Sequence, residues 1–420
     1  MRWLVKYVAM SDVAIAKLQA PVRKINLRRP DVMEAVQAQV MSHYRSNLVD
    51  RIRAHSQVRS TDGLLTIKLA KEFGFCYGVE RAIDLAYAAR KVFPDQPIYI
   101  LGEIIHNPEV NDQIRAMGIK SISGKEKNAD VEDLKEGDVV IIPAFGTELA
   151  TRARLEQKGC VFVDTTCGDV MSVWKRVRQY SRDQVTSIIH GKAWHEETKA
   201  TSSQTGSGHY LVVLTLSETD YVCDYILNGG SKQEFLSRFN GAHSEGFDPE
   251  LHLKAIGVAN QTTMLRGETE EVQRRLKKAM SDKYGEANVN QHFRFFDTIC
   301  GATQDRQDAL VKLLNEPLNF LLVIGGYNSS NTAHLAEMGE SKLPTYFIKN
   351  AAKIISDREI VHYNLHRHEE TTTLDWLPSG KITVGITAGA SCPNNLIEDT
   401  IRRLFDLRNA TIHEENVPSE

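Results

Sequence analysis

The chain has no apolar run near the ~20 residues a membrane-spanning helix needs, so no helical membrane span is expected. It has no CxxC pair, which excludes a zinc ribbon or a thioredoxin-like site. It has no Walker loop, and no GxGxxG follows a strand-like run. Its formal net charge is -3 over 420 residues, which gives no electrostatic case for a nucleic-acid partner. Residues 1–30 lack a signal-peptide apolar core. They are basic, with only Asp12 acidic, but poor in the serine of an organelle presequence. The six cysteines, at 76, 160, 167, 223, 300 and 392, are too few and too scattered for a disulfide scaffold. A reducing cytoplasm is the expected compartment.

What the chain does have is one local design used three times. Leu64–Leu69 alternates like a strand, and Gly74-Phe75-Cys76-Tyr77-Gly78 leads into a helical spacing through Ile83, Ala86, Tyr87 and Arg90. Val161–Thr166 leads to Cys167, Gly168 and a helical run through Val173, Val177 and Tyr180. Phe293–Ile299 leads to Cys300, Gly301 and a run through Ala309, Leu310 and Leu313. Each is strand, cysteine, glycine, helix.

Between these modules strands and helices alternate, the rhythm of a mainly parallel sheet with helices on its faces. The expected architecture is three similar α/β lobes around a shared centre, spanning 64–166, 167–298 and 299–408. A mostly helical extension, 1–63, is expected to pack outside the body, and the tail 409–420 to be loose. Polar loops stand at the C-terminal ends of the apolar strands, where open α/β sheets bind ligands. They hold His106; His195 with Glu196 and Glu197; Gln261-Thr262-Thr263; Tyr327-Asn328-Ser329-Ser330-Asn331; and Gly389-Ala390-Ser391.

A lone free cysteine is most often a small buried hydrophobe, and Cys160, Cys223 and Cys392 are read that way. Three thiols in one repeated frame at helix N-termini point elsewhere. The helix dipole and unpaired N–H groups there favour thiolate, and thiolates bind soft metals and iron–sulfur clusters. Three ligands from three lobes suit a cubane cluster with one iron free of protein, a Lewis-acid site that also passes electrons. A histidine and a carboxylate in one dry loop can deliver a proton; spacing alone does not separate Glu196 from Glu197. Serine, asparagine and backbone N–H groups at a helix start can hold an anion without Lys or Arg, though the same residues are ordinary caps and turns.

Taken together, GFCYGVERAI (74–83), EIIHNPEVN (103–111), VDTTC (163–167), HGKAWHEET (190–198), NQTTM (260–264), DTICGATQDRQ (297–307), IGGYNSSNT (324–332) and TAGASCP (387–393) resemble one family. It is the 4-hydroxy-3-methylbut-2-enyl diphosphate reductases, the last enzymes of the methylerythritol phosphate route to isoprenoids. The resemblance covers about residues 64–405 and is nearest to the long cyanobacterial and plastid type. It implies a trefoil of α/β lobes around one 4Fe–4S cluster held by three cysteines, here Cys76, Cys167 and Cys300. It implies substrate contacts from His106, His195, Thr262, Ser329, Ser330, Asn331 and Ser391, and proton donation by Glu197. The implied substrate is an allylic diphosphate, and the implied electron donor is ferredoxin or flavodoxin.

Two positions depart from the common pattern. Phe145 stands where many members carry a diphosphate-contacting histidine, and Gly168 follows Cys167 where proline is usual. Two rivals remain. An iron–sulfur hydro-lyase would dehydrate without net reduction, but its citrate-type substrates call for arginines these loops nearly lack. An iron or redox sensor would need neither Glu197 nor the anion loops.

Overall fold

The apolar runs become buried strands. All four residues of Val139–Ile142 and all five of Phe320–Ile324 are buried, as central strands covered on both faces must be. The computed structural model describes residues 27–296 and 298–412. Residues 1–26 of the expected extension lie outside the described residues.

The strands form three sheets and one hairpin. The first sheet runs in the order Gln57–Arg59, Leu65–Leu69, Ile382–Ala388, Phe320–Ile324, Thr345–Ile348. It is parallel except for its first edge strand, with Ile386 opposite Leu69 and Val384 opposite Phe320. The second is wholly parallel: Lys120–Ser121, Ile98–Ile100, Val139–Ile142, Val161–Asp164. The third is also parallel: Phe293–Phe295, Ile256–Asn260, Thr186–His190, Tyr210–Val213.

These pairings correct the expected first lobe. Leu65–Leu69, placed by the sequence at the start of 64–166, pairs with Ile382–Ala388 of the last third. Each cysteine therefore stands where the chain leaves one sheet for the next. After Cys76 the helix Tyr77–Val92 packs on the second sheet, through Ile83 and Ala86 against Ile98 and Ile141. After Cys167 the helix Gly168–Arg182 packs on the third, with Val173 and Val177 against Ala259. After Cys300 the helix Gly301–Leu314 returns to the first, with Leu310 and Leu313 against Leu321 and Val323. Three crossovers close the chain into a trefoil with the cysteines at its centre.

The extension is not an outer layer. Helix Asn47–His55 buries Leu48, Val49 and Ile52 against Ile67, Ile401 and Leu404. Helix Pro30–Tyr44 packs Val32, Val36 and Tyr44 on the Cys76 helix. At roughly 1.5–3 kcal/mol per fully buried large apolar side chain, these contacts make both helices part of the core. Gln57–Arg59 then adds an antiparallel edge to Leu65–Leu69. The chain end is also tied down as far as Ile412, which bridges to Ser60; the remainder of the expected loose tail, 413–420, lies outside the described residues. The hairpin Glu359–Asn364/Glu369–Leu374 was not foreseen, its mixed burial giving no clean alternation. Of the apolar run 97–105 only Ile98–Ile100 is strand. The expected loop at Glu196 begins the helix Glu196–Ser203.

Candidate active site

Each cysteine is the N-cap of its helix in extended backbone (φ/ψ −91/164, −63/147 and −65/125), and none uses its side chain as the cap. None of the three thiols is spent on capping its helix. Their backbones are fixed in a common way. Each N–H donates to a carbonyl in the loop after a strand: Cys76 to Ala390 at 3.2 Å, Cys167 to Ala144 at 2.8 Å and Cys300 to Thr262 at 3.3 Å. Gly78 lets two of them approach, since a Cβ there would sit 2.6 Å from Cys167 Sγ and 3.9 Å from Cys76 Sγ.

Burial opposes the thiolate that the helix dipole favours. It pushes the Cys167 thiol up, and it pushes Cys300 up to about 12, aided by a hydrogen bond to Asp169. A soft metal would displace these protons on binding.

One cavity is lined by all three cysteines together with His106, His195, Glu197, Thr262, Ser329, Ser330, Asn331 and Ser391. Every site residue that the resemblance implies lines it, whereas Glu196, Gln261, Tyr327 and Asn328 of the same loops do not. The volume of ≈ 120 Å³ far exceeds the ~10–15 Å³ one water needs, so the cavity takes a group of several heavy atoms. Among the described residues no Lys or Arg lines it.

Its polar wall is built to donate. His195, only 8% exposed, caps its helix by accepting the Glu197 N–H on Nδ1 at 3.2 Å. That fixes the tautomer: the proton of the neutral ring sits on Nε2. Burial, with His106 next, holds its pKa well below the usual value, so the ring stays neutral. His106 bonds Glu103 through Nδ1 at 3.0 Å, and Glu103 also accepts from Asn328 at 2.7 Å. Asn331 Oδ1 accepts the Ala390 N–H at 3.0 Å, which turns its Nδ2 the other way. The Nε2 atoms of both histidines, Ser330 Oγ and Asn331 Nδ2 are all buried without a hydrogen-bond partner. Such groups cost about 1–3 kcal/mol each if left unpaired. Ser330 and Asn331 open the helix Ser330–Glu340, whose positive end faces the same space. This wall suits an anion with several acceptor oxygens.

In the same cavity Glu197 is 3% exposed, and its Oε1 accepts the Thr262 N–H at 2.6 Å. Burial raises its pKa, opposed in part by the hydrogen bonds from Thr262. Glu196 is exposed, with an oxygen 3.9 Å from His106 Nε2. Burial therefore separates the two carboxylates that spacing left equal. Phe145 lies face to face on His106, with centroids 4.7 Å apart and planes 10° apart. It braces that ring and adds no polar contact.

Sequence reasoning missed Asp169 beside Cys300, the Glu103–Asn328 pair that orients His106, and Arg81 and Arg306. Arg81 Nη1 donates to Thr165 and Thr166 carbonyls at 3.2 and 3.1 Å, gripping the Cys167 turn. Its place five residues after Cys76, like that of Arg306 six after Cys300, was the available signal.

Fold and site together define a three-lobed α/β protein with three half-buried thiols and a set of unpartnered polar groups at one cavity. Residues 67–405 match the family model described as LytB protein, and the chain belongs to that family. A 4-hydroxy-3-methylbut-2-enyl diphosphate reductase of Gloeobacter violaceus is 48% identical over 378 residues, covering 89% of this chain and 90% of its own. One of Synechococcus sp. is 49% identical over 368 residues, covering 87% and 92%. A solved (E)-4-hydroxy-3-methyl-but-2-enyl diphosphate reductase, described as the terminal enzyme of the non-mevalonate pathway, is 27% identical with a TM-score of 0.50. That comparison covers 81% of this chain and 99% of the solved one. A solved Plasmodium falciparum reductase, 21% identical with a TM-score of 0.60, covers 81% and 87% and shares the fold.

Proposed function

We infer that the chain reduces (E)-4-hydroxy-3-methylbut-2-enyl diphosphate to isopentenyl and dimethylallyl diphosphate, the last step of the methylerythritol phosphate pathway. The observation that carries this is the single cavity where three uncapped thiols face four unpartnered polar atoms. The reaction takes in two electrons and two protons, breaks the allylic C–O bond and releases water.

Cys76, Cys167 and Cys300 are the proposed holders of one 4Fe–4S cluster. Their chemistry fits: three soft donors, all free of capping duty, at one cavity. When bound, the cluster supplies electrons and an iron with no protein ligand. The other roles belong to the chain. Ser329, Ser330, Asn331, Ser391, His106 and His195 hold the diphosphate, using helix-end dipoles and neutral donors. This binding fixes the tail so that the hydroxyl end points at the thiol side. Glu197, whose protonated form burial favours, gives its proton to the leaving oxygen, directly or through Thr262. Ile105, Ala144, Phe145 and Val170, on the same cavity wall, keep it dry.

Ferredoxin or flavodoxin is the proposed electron source and the cytoplasm the proposed compartment, in keeping with six free cysteines. Among the described residues no helix is long and apolar enough to cross a membrane. The hydro-lyase alternative is disfavoured by a cavity without Arg or Lys. The test is anaerobic turnover of the allylic diphosphate with a reduced viologen dye. Both products are expected from the wild type, and none from Cys76→Ser, Cys167→Ser or Cys300→Ser. Full activity in any of the three variants would remove that cysteine from the ligand set.

A further inference from the structure

The three cysteine helices are tied into a ring by arginines. Arg81 of the Cys76 helix grips the carbonyls before Cys167. Arg176 of the Cys167 helix lies 3.7 Å over the ring of Phe296, before Cys300. Arg306 of the Cys300 helix closes the ring on the Cys76 turn. Its Nε and Nη2 both donate to Gly74 O, at 3.2 and 2.6 Å, and its Nη1 donates to Ala302 O at 2.7 Å.

Arg306 differs from the other two. It is 5% exposed, whereas Arg81 and Arg176 are partly open to solvent. Its partners are neutral carbonyls, and among the described residues no carboxylate forms an ion pair with it. A buried guanidinium is costly unless a negative charge compensates it. The Arg306 guanidinium bonds the carbonyl two residues before Cys76 and the one two residues after Cys300, with the exposed Glu72 and the cation Arg53 as further charged neighbours. A cluster bound by thiolates at these two turns supplies the compensating negative charge.

We propose that Arg306 is a positioning residue for the Cys76 turn and the fixed countercharge of the thiolate-bound cluster, making that cluster easier to reduce. The inference rests on the cluster reading above. One electron from ferredoxin, flavodoxin or a viologen dye adds one negative charge to the centre, and a buried cation held at the Cys76 turn and the first turn of the Cys300 helix stabilises the reduced form.

The test compares wild type, Arg306→Gln and Arg306→Lys after anaerobic reconstitution. Iron per chain and the midpoint potential from a spectroscopic redox titration are read, with no need for turnover. Arg306→Gln is expected to lower the ratio of reduced to oxidised cluster at the wild-type midpoint about tenfold, some 59 mV for a one-electron step. Arg306→Lys keeps the charge and is expected to stay within about threefold of wild type on the same scale. An unshifted midpoint in Arg306→Gln at full iron content, or an equal shift in both variants, overturns the countercharge role. If Arg306→Gln fails to fold, Arg306→Lys decides alone: a midpoint near wild type supports the proposal and a tenfold fall overturns it. Wild-type protein that takes up no iron overturns the cluster reading itself. Loaded wild type with an unshifted Arg306→Gln overturns only this inference.

Discussion

The Glu197 carboxylate receives the backbone N–H of Thr262 at 2.6 Å while almost fully shielded from water. One bond fixes its direction, and burial keeps its proton on above the ordinary value of 4.5. Glu197→Gln keeps the shape and removes the proton donor. Its kcat is expected to fall by about 10²–10⁴ with KM little changed. The wild-type kcat is expected to fall as pH rises through the raised Glu197 pKa, and the variant's residual activity to lack that limb. Stability follows the same sign. The fold holds this proton more tightly than the unfolded chain does, so the stability linked to it is full below about 4.5 and is lost as pH rises through the folded value. Denaturant titrations across pH on both proteins check this.

Phe145 stacks on His106, which in turn meets His195 edge to face at 5.0 Å. Such aromatic pairs contribute about 0.5–1.5 kcal/mol beyond their buried area. Phe145→Ala should therefore loosen the His106 ring and raise KM roughly threefold to tenfold, with kcat nearly kept. Steady-state kinetics separate this from a lost proton donor, which acts on kcat.

Gly78 lies in the first turn of the Cys76 helix with space for no Cβ on the cavity side. Alanine is the better helix former by about 1 kcal/mol, so Gly78→Ala should hold its fold. The added methyl presses on Cys167 Sγ, and iron per chain after reconstitution should drop well below wild type while the melting temperature does not fall. Unchanged iron uptake would mean that the two sulfurs do not need this approach.

Gly168 is the opposite case. A Cβ there would meet nothing within 4 Å. Cys167 before it is already at φ −63 and ψ 147, the backbone a residue preceding proline prefers. As the first residue of its helix, position 168 suits proline. Gly168→Pro should stabilise the protein by about 0.4–1 kcal/mol and leave iron content unchanged. The departure from the usual pattern therefore costs unfolded-state entropy without moving Cys167.

Most of the site was legible because its signals are local. Cys76, Cys167 and Cys300 repeat one strand–turn–helix frame, and Ser329 to Asn331 follow an apolar run into a helix. What the sequence hid depends on long-range pairing. Nothing in Leu65–Leu69 says that its neighbour is Ile382–Ala388, more than 300 residues on. The resulting shift of each cysteine to a crossover between sheets was invisible for the same reason. Helix Asn47–His55 looked peripheral since its short apolar stripe does not name the surface that covers it. Arg306 looked like one more helix cation until the fold brought Gly74 to it. Glu196 and Glu197 were separable only by burial, a property of the assembled loops.

The most direct measurement is the spectrum of the anaerobically reconstituted protein before and after adding (E)-4-hydroxy-3-methylbut-2-enyl diphosphate. A brown protein is expected, with iron and labile sulfide near four each per chain as the cluster's formula requires. Its cluster signal should shift when the diphosphate is added. A colourless protein after reconstitution, or a cluster whose signal ignores the diphosphate, would contradict a thiol-bound centre and an anion wall serving one reaction.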